Sequence, residues 1–262
     1  MPLYRDEAIV LRTQKLGEAD RIVTLLTRRH GRVRGVARGV RKTTSRIGAR
    51  LEPFGHVDIQ LHEGRNLDTV TQVDSIAAHG ADLVRDYSRW TTGTAMLETA
   101  ERMTPVEREP SLQQYALLVA GLRALVAGEH EPSLILDAYL LRSLAVAGWS
   151  PSFGDCARCG AAGPHHAFSI ASGGMVCSGC RPPGSASPSA ATVALLGALL
   201  SGDWMVADAS EVRDRREASG LVAAFLHWHL ERALRSLPLV DRDDSGRPGH
   251  VDRATRMTGT HQ

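Results

Sequence analysis

The four cysteines of the chain fall into one pattern that could bind a metal ion. Two residues separate Cys156 from Cys159 and Cys177 from Cys180, and 17 residues lie between the two pairs. Two residues between thiolates let one tight turn direct both sulfurs at the same ion, a spacing typical of zinc sites. Four thiolates complete a tetrahedron, so we expect one structural zinc ion rather than a catalytic one.

The segment between the cysteine pairs predicts a short hairpin. Residues 167–170 and 175–176 flank the turn residues Ser172-Gly173-Gly174, so residues 152–182 are interpreted as a zinc ribbon. Two disulfides are one alternative, which would require an oxidising compartment. A mixed site is the other, in which His165 or His166 replaces one cysteine and a coordination position opens for catalysis.

A basic segment lies in the first fifth of the chain. Ten of the 31 lysines and arginines fall between residues 21 and 51, and no acidic residue does. Because the whole chain has a net charge of +2, the remaining residues together carry −8. This asymmetry predicts a polyanionic partner, nucleic acid first, with a solvated basic face as the alternative.

The candidate nucleic-acid-binding residues come from this basic segment. Even positions along residues 32–42 would share one face of a strand, and residues 41–50 are interpreted as a loop rich in hydroxyl and guanidinium groups. Residues 1–80 hold only Tyr4 and Phe54 as aromatic residues, and Phe54 is either a core residue or a base-stacking platform. We therefore expect phosphate contacts, weak sequence preference and steep salt dependence. The candidates are Arg32, Arg34, Arg38, Arg41, Lys42, Arg46 and Arg50.

Five short strands are predicted to carry these basic residues. They cover residues 8–11, 22–26, 32–41, 56–63 and 67–76. In the fourth strand Val57, Ile59 and Leu61 alternate with polar residues, the period of a half-buried strand. No crossover helix fits between the strands, so we expect a small closed barrel rather than a parallel sheet.

The rest of the chain predicts helices, which makes the fold class α+β. Helices are expected at residues 82–104, 112–127, 134–147, 190–201 and about 210–237. Residues 134–147 are apolar nearly all round and should form the buried centre. Arg142 within them is either a buried arginine with partners or a dock for a peptide carboxylate. Residues 241–262 have little to bury and are predicted to be a disordered tail.

Composition and motifs exclude several classes of protein. Hydrophobic residues make up 43% and charged residues 23% of the chain, as in ordinary globular proteins. We expect no membrane span and no signal peptide, and therefore a cytoplasmic protein. Phosphate-binding loops, nucleophile elbows and zinc-protease motifs do not occur, so neither nucleotide binding nor catalysis is expected. Glu18 and Asp20 beside Arg21 predict a turn cluster paired with Arg21 rather than a metal site.

Three segments resemble the RecO family of recombination mediators. They are Glu7-Ala8-Ile9-Val10-Leu11-Arg12-Thr13, Gly17-Glu18-Ala19-Asp20-Arg21-Ile22-Val23-Thr24-Leu25 and Gly48-Ala49-Arg50-Leu51-Glu52-Pro53-Phe54. Leu67-Asp68-Thr69, the helical middle and the cysteines at 156–180 also match many members. The resemblance covers about residues 3 to 237. The first two motifs together are fairly specific, whereas each alone is weak.

The resemblance implies three regions. These are an OB-fold nucleic-acid-binding domain at residues 1–80, a helical domain at 81–240 that contains the ribbon at 152–182, and a tail at 241–262 that matches no family pattern. Some relatives lack the cysteines, so the zinc is not expected to perform the shared function.

The resemblance also implies a set of partners. A member of this family binds single- and double-stranded DNA and anneals complementary strands. It works with RecR and with the acidic C-terminal tail of single-stranded DNA-binding protein to help load RecA. The expected location is therefore the cytoplasm, at the nucleoid, with no membrane contact.

Two other functional classes compete with this interpretation. A zinc-ribbon factor that binds RNA or acts in transcription should have its basic residues at the ribbon, but residues 152–182 hold only Arg158 and Arg181. A metal-dependent nuclease should show clustered acidic residues and open coordination positions, which the sequence does not indicate.

Overall fold

The computed structural model describes residues 2–41, 47–230 and 234–240, and its first part is a five-stranded barrel. The strands are β1 (Leu3–Leu16), β2 (Asp20–Thr27), β3 (Gly31–Ala37), β4 (Gly55–His62) and β5 (Asp68–Ala78). They close in the order β1-β2-β3-β5-β4, and β1 pairs with β4 to complete the ring. The predicted barrel of OB-fold type is therefore confirmed.

Strand β1 contributes to two hydrophobic cores at once. Successive side chains of a strand point to opposite faces. Ala8 and Val10 point into the barrel, where they pack with residues such as Ile59. Ile9 and Leu11 point outward and belong to a larger core built mostly by the helices. The apolar run at residues 8–11 thus has no solvent-facing side.

Among the described residues, seven α-helices and a small hairpin follow the barrel. The helices are α1 (His79–Leu83), α2 (Tyr87–Met103), α3 (Leu112–Ala127), α4 (Pro132–Val146), α5 (Ala190–Ser201), α6 (Trp204–Asp208) and α7 (Val212–Leu230). The hairpin strands are β6 (Ala167–Ser169) and β7 (Gly174–Val176). Short 3₁₀ turns occupy Gly48–Leu51 and Leu237–Leu239. As predicted, α4 is the buried centre, and ten of its residues are buried.

The helices differ from the predicted pattern at two places. The helix predicted at residues 82–104 is divided, because the side chain of Asp86 accepts a hydrogen bond from the Arg89 backbone N–H and starts α2 there. The last predicted helix, at about 210–237, is described as α-helix over Val212–Leu230, and the described residues from 234 onward are not part of an α-helix. The tail predicted at 241–262 lies outside the described residues.

Residues 104–109, which we call the strap, close the open part of strand β3. Strand β3 pairs with β5 only at Gly35 and Val36. Further upstream, the Arg108 backbone N–H donates to the Arg32 carbonyl at 2.9 Å. Gly31 has φ of +65° and lies so close to the strap that a Cβ there would be 1.7 Å from the Glu109 carbonyl oxygen. The strap therefore does for the barrel edge what a neighbouring strand would do.

A buried carboxylate joins the strap to the opposite side of the barrel. Asp68 has no exposed surface and accepts hydrogen bonds from the Tyr4 hydroxyl, the Arg108 guanidinium and the Gly64 backbone N–H. Burial, followed by the hydrogen bond to Asp68, raises the pKa of Tyr4 well above its usual value. The Tyr4 hydroxyl thus stays protonated as a donor across the physiological range.

Two histidines are buried in the seam between the barrel and the helices. His56 on β4 and His79 on α1 have their ring centroids 6.4 Å apart, and His56 Nε2 lies 2.9 Å from the Tyr115 hydroxyl. Burial lowers the pKa of both imidazoles, and the Arg123 guanidinium lowers both further. Both rings are therefore neutral at neutral pH.

Glu98 on α2 holds the C-terminal part of the described chain. Its carboxylate accepts hydrogen bonds from the backbone N–H groups of Arg235 and Ser236, both at 2.9 Å, and from the Ser236 hydroxyl at 2.6 Å. Burial alone would raise the pKa of Glu98, but the hydrogen bonds from Ser236 and Arg235 hold it below its usual value.

Among the described residues, no helix combines the length and apolar character needed to cross a bilayer.

Candidate metal centre and nucleic-acid interface

The four cysteine sulfurs converge on one point of the ribbon. The Sγ atoms of Cys156, Cys159, Cys177 and Cys180 all lie within 4.8 Å of one another, and the Cys159 and Cys177 sulfurs are 3.8 Å apart. A tetrahedral ion with metal–sulfur bonds of about 2.3 Å needs sulfurs about 3.8 Å apart. The geometry therefore fits one four-coordinate metal ion held by thiolates.

Each cysteine pair forms a tight turn, as the spacing predicts. The Gly160 N–H donates to the Cys156 carbonyl at 2.8 Å, and the Cys180 N–H donates to the Cys177 carbonyl at 3.1 Å. The Cys177 N–H also points at the Cys156 sulfur, at 3.4 Å. His165 lies outside this cluster of ligands, since its Nε2 is 2.9 Å from the Ala161 carbonyl oxygen. The four cysteines, not a mixed set with histidine, thus form the ligand cluster.

The thiols differ in how readily they ionise. Backbone N–H groups of Cys177 and Cys159 lower the pKa of Cys156 to about 6. Hydrogen bonds to the thiols of Cys177 and Cys159 raise the pKa of Cys180 to about 12. Four sulfurs this close cannot all ionise unless a cation balances their charge. A bound metal ion would supply that charge.

One face of the ribbon hairpin packs against a cysteine of the ligand cluster, and the other packs against the helices. Phe168 and Met175 lie opposite each other in the β6–β7 pair and join the helical core, where Phe168 packs edge-on against Phe225 with ring centroids 6.2 Å apart. Ala167 and Val176 face the other way and pack with Cys156. The ribbon is therefore a structural unit seated on α7, remote in sequence from the basic segment.

Arg32 and Arg34 share one face of β3, as predicted, and that face lies against the strap. The Arg32 guanidinium donates to the carbonyls of Thr104 at 2.7 Å and Pro105 at 2.6 Å, and its side chain is only 13% exposed. Arg34 forms an ion pair with Glu107. Both arginine side chains therefore bind groups of the strap. No local pattern marked the strap as their partner.

Arg38 and Arg41 lie in the turn at residues 38–41, beyond the end of β3, and are exposed. Within the described residues neither forms an ion pair with an acid, although the Arg41 guanidinium donates to the Gly17 carbonyl at 3.0 Å. Arg50 lies in the following 3₁₀ turn, bonded to the Val73 carbonyl and 3.5 Å from a carboxylate oxygen of Asp74. Lys42 and Arg46 lie outside the described residues.

Asp20 does not pair with Arg21, so that part of the expected turn cluster is wrong. Arg21 forms its ion pair with Glu52. The Asp20 carboxylate instead accepts a hydrogen bond from the Gly39 backbone N–H at 2.7 Å. Sequence adjacency favoured Arg21, but Asp20 and Arg21 are neighbours on a strand and their side chains point to opposite faces.

Phe54 is a core residue and not an exposed platform. Its side chain is 1% exposed and packs edge-on against Trp90, with ring centroids 4.8 Å apart. Arg142 likewise has partners, since its Nε donates to the carbonyls of Leu199 and Leu200 at the end of α5. Of the alternatives that the sequence left open, Phe54 is thus the core residue and Arg142 the arginine with partners inside the protein.

Two family profiles match nearly the whole described chain. The profile described as "Recombination protein O N terminal" matches residues 1–79, and the one described as "Recombination protein O C terminal" matches residues 84–238. The chain belongs to the RecO family.

Curated relatives in the RecO family are similar along their whole length. The chain is 65% identical over 242 residues to "DNA repair protein RecO" of Thermobifida fusca, which covers 92% of this chain and all of the relative. It is 66% identical over 243 residues to the protein of that name from a Nocardioides species, with the same coverage. The Streptomyces griseus protein is 63% identical over 248 residues. The RecO family is thus one of DNA repair proteins.

The RecO-like motifs of the sequence meet at one end of the barrel. The Gly17–Leu25 motif contains the turn between β1 and β2, whose Ala19 carbonyl accepts a hydrogen bond from the Arg41 backbone N–H at 2.9 Å. The Gly48–Phe54 motif contains Glu52, the ion-pair partner of Arg21. The Gly17–Leu25 motif therefore contacts the exposed turn that carries Arg38 and Arg41, and the Gly48–Phe54 motif contacts the Gly17–Leu25 motif through Arg21.

Proposed function

We propose that this RecO-family protein binds single- and double-stranded DNA through phosphate contacts and anneals complementary strands. With RecR, it would help load RecA onto strands coated by single-stranded DNA-binding protein, whose acidic C-terminal tail would recruit it. Family membership supports this proposal. Such a role would place the protein in the cytoplasm, at the nucleoid.

One observation carries the proposed DNA contact. Arg38 and Arg41 are exposed in one turn, at the centre of a stretch of 31 residues that holds ten basic residues and no acidic one. Guanidinium groups that form no ion pair, as is true of both among the described residues, can bind phosphate oxygens. Lys42, Arg46 and Arg50 would extend this surface. Arg32 and Arg34 would act mainly through the strap, since their hydrogen bonds are made there.

The proposed mechanism is electrostatic. Cationic side chains would screen the phosphate repulsion between two strands and release condensed counterions, so that base pairing itself drives annealing. The protein breaks no covalent bond in this scheme and needs no nucleotide. We accordingly propose a binding protein rather than an enzyme.

We propose zinc as the metal of the four-cysteine site. Thiolate ligands in tetrahedral geometry suit zinc, and four protein ligands leave no position for a reacting water. The ion would keep the ribbon folded on α7. Metal analysis of the purified protein should give one zinc per chain, and a different metal or none would contradict this assignment.

Strand annealing tests the proposed function. Two complementary labelled oligonucleotides, coated with single-stranded DNA-binding protein, are mixed with the full chain at low and high salt without nucleotide. Arg38→Glu should slow annealing strongly, and higher salt should slow it as well. Arg213→Glu, at an exposed residue of α7, is the matched control because it changes the net charge by the same amount.

The outcomes of this experiment separate the alternatives. Equal loss in Arg38→Glu and Arg213→Glu would indicate a general charge effect and contradict the assigned surface. No annealing by the folded wild-type chain, with or without RecR, would contradict the proposed function. DNA cleavage in the presence of Mg²⁺ or Mn²⁺ would contradict the proposal that the protein is not an enzyme.

A further inference from the structure

Among the described residues, three hydrogen bonds join the turn at residues 38–41 to the neighbouring residues 17–20. The first turn, residues 17–19, connects β1 to β2, and the second carries Arg38 and Arg41. The Arg41 N–H donates to the Ala19 carbonyl at 2.9 Å, and the Arg41 guanidinium donates to the Gly17 carbonyl at 3.0 Å. The third bond runs from the Gly39 N–H to the Asp20 carboxylate, at 2.7 Å. Asp20, the first residue of β2, therefore supplies the only side-chain acceptor that the described residues show in this junction.

The direction of the Asp20 carboxylate is unusual for an acid in a basic region. Among the described residues Asp20 forms no ion pair, although Arg21 is its neighbour and Arg38 and Arg41 lie in the turn that it contacts. Its oxygen is instead directed at a backbone N–H, in a charge-assisted hydrogen bond. The acid thus fixes the backbone of the turn without joining a guanidinium in a close ion pair.

The backbone of the second turn explains why it needs fixing. Gly39 has φ of +65°, a left-handed conformation that glycine adopts easily and leaves easily. Two exposed cations, Arg38 and Arg41, flank it within two residues and repel each other. A turn with these properties would sample several conformations unless an external contact selected one, and a fixed conformation lowers the entropy cost of binding.

From this geometry we infer that Asp20 is a positioning residue for DNA binding. It fixes the turn at Gly39 so that Arg38 and Arg41 present their charges together to the phosphates of a strand. This inference rests on the proposed function, and it extends that function to an acidic residue that would not itself touch DNA.

The sign of the effect separates positioning from simple electrostatics. Removing a negative charge beside a DNA-binding surface should strengthen binding to a polyanion. If Asp20 positions the turn, Asp20→Ala should instead weaken binding, by about tenfold, which corresponds to about 1.4 kcal/mol. Asp20→Asn keeps an acceptor oxygen in the same place and removes the charge, so it should bind at least as tightly as the wild type.

Two further variants complete the design. Asp20→Glu keeps the charge but moves the carboxylate by one methylene, so it should bind more weakly than the wild type. Glu18→Gln is the matched control, because Glu18 is an exposed acid two residues away that has no hydrogen bond to the second turn. It should bind as tightly as the wild type or more tightly.

The measurement is the dissociation constant for a labelled single strand, by fluorescence anisotropy at several KCl concentrations, with thermal unfolding of each full-length variant alongside. On a single strand, each phosphate contact contributes about 0.7 to the slope of log K against log salt. Asp20→Ala should make that slope shallower by about 0.7 to 1.4 units, the loss of one or two phosphate contacts, whereas Asp20→Asn should keep it. A variant that only has a smaller folded fraction would show larger apparent dissociation constants but the same slope of log K against log salt as the wild type.

Each outcome decides between the explanations. Tighter binding by Asp20→Ala, or equal binding by Asp20→Ala and Asp20→Asn, would overturn the positioning role while the proposed function stands. If Asp20→Ala fails to fold, wild-type affinity of Asp20→Glu would overturn it instead. Absence of salt-dependent DNA binding in the wild type would overturn the proposed function, and the inference with it.

Discussion

The contact between Gly31 and the strap predicts a large cost for the smallest possible substitution. In Gly31→Ala, the new Cβ would lie 1.7 Å from the Glu109 carbonyl oxygen and 2.6 Å from its carbon. Both atoms belong to the backbone, so no rotation of a side chain relieves the overlap. The strap, residues 104–109, must therefore move away from the barrel edge.

The cost of this movement follows from the contacts that the strap makes. The left-handed backbone of Gly31 costs an alanine about 1 kcal/mol. Moving the strap also breaks the bond from the Arg108 N–H to Arg32 and the two bonds from the Arg32 guanidinium to Thr104 and Pro105. Hydrogen bonds to water compensate for part of each lost bond, so we expect a further loss of about 3 kcal/mol in the free energy of unfolding. For a chain of this size this further loss corresponds to a melting temperature lower by about 6 to 12 °C.

Gly17→Ala is the matched control for the backbone term. Gly17 has φ of +56°, similar to Gly31, but a Cβ there would meet nothing within 4 Å. Urea unfolding followed by circular dichroism should show a loss of about 1 kcal/mol for Gly17→Ala and a clearly larger loss for Gly31→Ala. In addition, proteolysis of Gly31→Ala should become faster within residues 104–109. Equal losses in the two variants would refute the close approach of the strap to β3.

Three further predictions concern other contacts. Glu98→Ala should lower the free energy of unfolding by about 2 kcal/mol in urea titrations, because three hydrogen bonds to a half-buried carboxylate are lost. Glu101→Ala, which removes only an exposed ion pair with Arg12, should cost less than about 1 kcal/mol, and equal costs would contradict the anchoring role of Glu98. The free energy of unfolding should fall as the pH drops below about 6.5. His56 and His79 bind protons in this range in the unfolded chain, but in the folded chain they are buried and stay neutral. Melting temperatures of His79→Gln should therefore depend less on pH across this range. Cys156→Ser should abolish stoichiometric metal binding and expose residues 152–182 to proteases, yet leave annealing unchanged, and a parallel loss of annealing would contradict a purely structural site.

Local patterns predicted most of the elements, but not the division between α1 and α2. The alternation of Val57, Ile59 and Leu61 predicted β4, and the three side chains do pack inside the barrel. The cysteine spacing predicted two tight turns and a hairpin, and the four sulfurs converge accordingly. The first prediction succeeded because it depends on residues that are close in the chain. The second succeeded because thiolates with this spacing are typical ligands of one tetrahedral ion.

Contacts between segments that are distant in the chain could not be predicted from the sequence. The pattern of β3 placed Arg32 and Arg34 on one face, but nothing near them indicated that residues 104–107 would cover that face. The partner of Arg21 was misassigned for the same reason, since Glu52 is 31 residues away and Asp20 is adjacent. A charge pattern shows that arginines need partners, and only the tertiary structure shows which of them remain exposed.

The two-sided burial of β1 makes the barrel and the helices one cooperative folding unit. A fragment that ended near residue 79 would leave Ile9, Leu11, Leu26 and Phe54 uncovered on its surface, all of which are at most 5% exposed in the whole chain. Such an apolar patch favours aggregation. The amide protons of β1 would accordingly exchange with solvent only through global unfolding, and their exchange rates would report the stability of the entire molecule.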